Sequence, residues 1–114
     1  MSNPSKARGT AFESAVVAYV ASTGHFPYCE RRALKGTRDT GDLTGLPIVV
    51  EVKCQKAMDL GNWATEAAGE ARNAGLPAHW WAVWHKRRQR GVAESYVTLP
   101  AALFVEMLAD WDAT

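Results

Sequence analysis

Cysteine is scarce in this 114-residue chain, which holds only Cys29 and Cys54. Two thiols build neither a disulfide framework nor a four-cysteine zinc site, so both are expected to be reduced and partly buried. The three histidines, His25, His79 and His85, fall at no zinc-ligand spacing. A Gly-rich loop of the Walker type is missing, so no nucleotide cofactor is expected. No apolar run approaches the roughly 18 residues of a membrane span. Met1–Thr10 has no apolar signal-peptide core, so the chain reads as cytoplasmic and without a membrane partner. Repeats, low-complexity tracts and linkers are also missing, and the length suits one domain over residues 1–114. Hydrophobic residues at 47% and charged residues at 22% are the proportions of a globular domain, not of a disordered, collagenous or coiled-coil chain.

Net charge is +1, but it is unevenly spread. Residues 1–56 carry eight Lys or Arg against five Asp or Glu. Lys86, Arg87, Arg88 and Arg90 crowd one short stretch, and residues 91–114 hold four acids with no Lys or Arg. The basic first half and the basic stretch permit an anionic partner. A core of this size is modest, so self-association is expected to add stability.

Hydrophobic spacing gives the order of elements. Phe12, Ala15, Val16, Tyr19 and Val20 make one apolar stripe on a helix from about Ser5, a candidate N-cap, to Ser22, with Gly24 as its stop. Phe26–Leu34 is a mixed segment with strand character, and Gly36–Gly45 has turn composition with at most a short strand. Ile48–Lys53 is short and β-branched, the clearest strand in the chain. Its alternation sets Ile48, Val50 and Val52 on one face and Val49, Glu51 and Lys53 on the other. A second helix runs from about Gly61 or Asn62 to Asn73, with Trp63, Ala67, Ala71 and Ala74 on one face. His79–His85 reads as a buried strand, Lys86–Gly91 as a basic turn and Glu94–Thr98 as another strand. A last helix starts near Pro100, with Ala101, Phe104, Met107, Leu108 and Trp111 expected inward. The order α-β-β-β-α-β-β-α predicts a layered α/β architecture.

Three ionisable residues stand out in the central hairpin. Eight residues separate Asp42 from Glu51, and one separates Glu51 from Lys53. A turn through Thr44–Pro47 would bring Asp42 and Glu51 onto adjacent strands, with Lys53 on the face of Glu51. Two carboxylates at strand ends bind a hard cation such as Mg²⁺ through oxygen. Such a cation activates water and neutralises charge growing on a phosphate, and a nearby ammonium adds to that stabilisation. Asp39, with eleven residues between it and Glu51, is the rival of Asp42. An isolated Glu-x-Lys can equally be a strand-edge ion pair of little energetic weight.

Thr40-Gly41-Asp42 followed by Ile48-Val49-Val50-Glu51-Val52-Lys53 resembles the signature of the PD-(D/E)XK nuclease superfamily. Ahead of it, Lys6-Ala7-Arg8-Gly9-Thr10-Ala11-Phe12-Glu13 resembles the N-terminal helix of that superfamily's archaeal and phage Holliday-junction resolvase branch. The motifs cover roughly residues 6–56, and the family's proline before the aspartate is Gly41 here. The resemblance implies a restriction-endonuclease-like α/β fold: a central mixed sheet flanked by helices, with an αβββαβ core. It implies that Asp42 and Glu51 are metal ligands, that Glu13 is a further acidic residue of the site and that Lys53 is the catalytic lysine. Mg²⁺, with Mn²⁺ as a substitute, would be the cofactor, and a homodimer would cut four-way or otherwise branched DNA.

Lys6, Arg8, Arg31, Arg32, Lys35 and Arg38 flank the expected site, and Gln55 and Lys56 follow it. With Lys86, Arg87, Arg88 and Arg90 they are candidates for contacts to the phosphate backbone, which bind without reading sequence. Trp80, Trp81 and Trp84 are expected in the core rather than stacked on bases. Two other functions stay open at this level: a monomeric nickase or exonuclease-like enzyme, and a non-catalytic DNA-binding module.

Overall fold

The computed structural model describes residues 3–33 and 39–113. The first helix, α1 (Pro4–Ser22), is capped by Asn3 rather than Ser5. The Asn3 side chain accepts hydrogen bonds from the backbone N–H groups of Ser5 and Lys6, while Pro4 takes a first-turn position where its missing N–H costs nothing. Phe12, Val16 and Val20 are its buried residues.

Two short strands follow, β1 (Glu30–Arg31) and β2 (Leu43–Thr44), paired antiparallel with Glu30 opposite Thr44. Phe26–Leu34 therefore yields only two strand residues, and Lys35 and Arg38 lie outside the described residues. Gly45 makes the turn after β2 possible. Its φ is +81°, and a Cβ there would sit 2.5 Å from the carbonyl oxygen of Tyr28.

The strand β3 (Val49–Lys53) pairs parallel with β4 (Trp81–His85), Val49 opposite Trp81 and Lys53 opposite His85. A parallel pair needs a crossover, supplied by α2 (Leu60–Asn73). On the far side of β4 lies the antiparallel β5 (Tyr96–Thr98), after a 3₁₀ turn at Val92–Glu94. The mixed three-stranded sheet has the order β3-β4-β5. The Asp42 N–H donates to the Val50 carbonyl at 3.2 Å, which ties the β1–β2 pair to β3. The element order is the one that periodicity predicts.

Both faces of β3 are covered, which explains its apolar run. Val50 and Val52 pack with Phe12, Val16 and Val20 of α1, and with Cys29 and Leu43. Val49 packs on the other side with Trp63, Ala67 and Ala71 of α2, and with Trp81 and Val83. Trp81 is buried. Trp84 is partly buried against the α1 side, and Trp80 is partly buried with its Nε1 donating to Glu106 Oε2 at 3.0 Å. Cys29 is buried and Cys54 partly buried, both as free thiols.

The last helix, α3 (Ala101–Ala113), departs from the inward face expected of it. Leu103 is its buried residue, whereas Phe104, Met107, Leu108 and Trp111 are 44–78% exposed. The helix follows the edge strand β5 and meets the domain through its first turns, including Glu106, which bonds His79 as well as Trp80. Periodicity identifies an apolar face but not what covers it. No helix among the described residues is long and apolar enough to cross a membrane.

Candidate metal centre

Strand alternation alone would set Glu51 on the α2 face of β3, and burial there is nearly complete. Glu51 is 2% exposed, and its Oε1 has no hydrogen-bond partner among the described residues. Its Oε2 lies 3.7 Å from Lys53 Nζ, two residues along on the same face. Lys53 Nζ in turn lies 3.2 Å from Glu66 Oε1 on α2. Asp42 enters from the neighbouring strand end, where its Oδ2 accepts the Val52 N–H at 2.7 Å. Gly41 has a φ of +104°, which a proline ring forbids. The chain thus approaches Asp42 by a route only glycine follows without strain.

Glu13 faces this group from α1, its Oε2 3.4 Å from Arg31 Nη2. Glu13, Asp42, Glu51 and Lys53 all line one open cleft of about 920 Å³. The rival Asp39 lines it as well, so the structure brings both aspartates to the same place. They differ in their anchors. Asp42 is fixed to β3, whereas Asp39 Oδ1 accepts the Gly41 N–H at 3.0 Å in a local turn.

The carboxyl groups titrate high because they are crowded and desolvated. Burial raises Glu13, and the charge of Asp42 adds to this against the opposing Arg31. Burial also raises Asp42, against the Val52 hydrogen bond and the charge of Lys53. Glu51 is pushed up to about 11 by burial, by the close Glu70 carboxyl and by the charge of Asp42. Burial works to lower Lys53, but the Glu66 hydrogen bond and the surrounding carboxylates outweigh it and hold the ammonium above its ordinary value.

Two acidic residues of this group escape the sequence reading. Glu66 and Glu70 both come from α2. Glu70 is 3% exposed, and neither of its oxygens has a partner among the described residues. The signal was available: Glu70 falls three residues after Ala67 and seven after Trp63, on the stripe that packs against the sheet. One carboxylate oxygen from each of Asp39, Glu51 and Glu70 lies within 4.8 Å of the others.

The basic candidates divide. Lys6, Arg8, Arg31, Arg32, Gln55 and Lys56 line the cleft. Lys86 and Arg88 line an adjoining depression with Arg8, Gln55 and Lys56. Arg87 is engaged elsewhere, its guanidinium 4.3 Å from the Tyr96 ring centre and its Nη1 donating to the Glu94 carbonyl. Arg90 lies 3.9 Å from Glu94.

The carboxylates of Glu13, Asp42 and Glu51 in a partly desolvated site fit a hard divalent cation better than a soft one. The unpartnered Glu51 Oε1 is the atom on which that fit rests most directly. Comparison with protein-family models, with curated proteins and with solved structures gave no match for this chain.

Proposed function

We propose that this chain is a divalent-cation-dependent DNA endonuclease of the PD-(D/E)XK type, with the restriction-endonuclease-like fold, acting on four-way or otherwise branched DNA. The observation that carries the proposal is the convergence of Asp42, Glu51, Lys53 and Glu13 in one cleft rimmed by Lys6, Arg8, Arg31, Arg32 and Lys56. The spacing of the motif in the sequence and the cleft that unites its residues are separate observations.

Asp42 and Glu51 would hold Mg²⁺ or Mn²⁺, with Glu13 facing the same space from α1. The cation supplies activated water and neutralises phosphate charge when bound. Lys53, kept protonated by its carboxylate neighbours, adds positive charge beside the reacting phosphate. Water oxygen bonds to phosphorus as it gives up a proton, the bond to the 3′ oxygen breaks and that oxygen takes up a proton, and the products are a 5′-phosphate and a 3′-hydroxyl. The basic rim holds the backbone without reading bases, which suits selection by DNA shape.

Resolution of a four-way junction needs two cuts related by a two-fold axis, which a symmetric homodimer supplies. The outer face of α3, with Phe104, Val105, Met107 and Leu108 exposed, is the surface we assign to the second copy. The enzyme would act in the cytoplasm of a bacterial or phage-infected cell. Sedimentation together with cleavage of labelled junction and linear duplex tests the proposal. A dimer that cuts opposed junction strands supports it, and a monomer that nicks both substrates equally favours the nickase.

A further inference from the structure

Glu70 is the residue that the proposed reaction leaves unused. It sits on the packed stripe of α2, beside the buried Ala67 and Ala71, where an apolar side chain is the ordinary occupant. A carboxylate there without a donor is costly unless something positive joins it. Among the described residues nothing does. Both Glu70 oxygens and Glu51 Oε1 are buried and unpartnered.

A cation engages all three carboxyl groups at once. We propose that Asp39, Glu51 and Glu70 form a second divalent-cation position, set back from the cleft, with Glu51 shared between it and Asp42. The inference rests on the nuclease reading only for the identity of the first position.

The dimensions agree. Oxygens held about 2.1–2.5 Å from a hard cation lie at most about 4.2–5.0 Å apart. The three carboxylates here offer oxygens within 4.8 Å of one another. The backbone also holds Asp39 in place, since Asn73 Nδ2, three residues along α2 from Glu70, donates to the Asp39 carbonyl at 2.9 Å. One helix therefore supplies both a carboxylate and the clasp for its neighbour. Glu70 does not line the open cleft, whereas Asp39 and Glu51 do, so a cation here would be the less solvated of the two.

Mn²⁺ binding to the full chain without DNA, counted by electron paramagnetic resonance, tests this. Wild type should bind two Mn²⁺ per chain. Glu70→Gln should bind one, and Asp39→Asn, at an exposed position, should weaken the second by at least about tenfold. A Mn²⁺ count, whether one or two per chain, that Glu70→Gln and Asp39→Asn both leave unchanged overturns the second position. The nuclease reading fails on a different readout, an uncut junction in the presence of Mg²⁺, so the two failures are distinguishable.

Discussion

Asp42 Oδ2 accepts the backbone N–H of Val52 at 2.7 Å, and Val52 is the residue between Glu51 and Lys53. That one bond locks the strand-end aspartate to the segment carrying the other two groups. A slip of one residue in β3 would turn Glu51 and Lys53 to the α1 side and send Val50 and Val52 to the α2 side. The two apolar layers hold the register, and the register holds the site.

Substituting the proposed ligands should separate chemistry from folding. Asp42→Asn and Glu51→Gln should each lower junction cleavage by about 10²-fold or more while DNA binding persists. Circular dichroism should show a folded chain in both. Full activity in either variant removes that residue from the site.

Lys53→Ala should reduce cleavage by roughly 10²-fold, as loss of one positioned charge does. Metal affinity should not fall, because the substitution removes a positive charge that repels the cation from Glu51. An unchanged rate would make Lys53 a structural partner of Glu51 and Glu66.

The metal-free protein should lose stability as pH rises. Glu70 titrates near 7, raised above 4.5 by burial, with a contact from Glu51 opposing and the charge of Asp39 adding. A carboxyl raised in the folded state contributes stability that is whole below its unfolded value and lost as pH climbs through its folded one. The loss from Glu70 therefore falls between pH 4.5 and about 7, and Glu51, raised further, extends it upward. Glu70→Gln should flatten the profile and raise Tm at pH 8 in chelator by roughly 4 °C or more, or about 1 kcal/mol. A Tm that rises steadily over this pH range would contradict the burial argument.

Arg87 and Arg88 are neighbours in sequence with different expected roles. Arg87→Ala should lower Tm by removing the Tyr96 stack and the Glu94 bond, with the salt dependence of DNA binding unchanged. Replacing Arg31 and Arg32 together should weaken DNA binding and lower the salt slope by about one for each phosphate left without its cation. Melting curves and binding titrations at several salt concentrations would read both effects.

Much of this arrangement is legible in the sequence because local rules agree there. The β-branched run Ile48–Lys53 and the stripe of α1 mark one strand and its covering helix, but the expected hairpin is not a strand pair: β2 pairs with β1 and β3 with β4, and the Asp42 N–H to the Val50 carbonyl joins the two. Glu70 is hidden because a single acid on an alanine-rich stripe looks like an edge of that stripe. Its burial depends on β3 and on the Asp39 segment, which are remote in sequence. The outward face of α3 misleads for the converse reason: an apolar stripe predicts burial, but the sheet ends at β5 and offers it no second layer. Asn3 rather than Ser5 is the cap because Pro4 fits the first turn of the helix, which moves the cap one residue before it.

The central claim is cation-dependent cleavage at the cleft that holds Asp42 and Glu51. The most direct measurement incubates the purified chain with an end-labelled four-way junction and a linear duplex of equal length, in Mg²⁺ and in chelator. Asp42→Asn runs alongside as the control. The account predicts paired cuts on opposed junction strands in Mg²⁺, little cutting of the duplex, and none in chelator or with Asp42→Asn. Cutting that survives chelator or Asp42→Asn, or a junction left intact in Mg²⁺ by a folded protein that binds it, would contradict it.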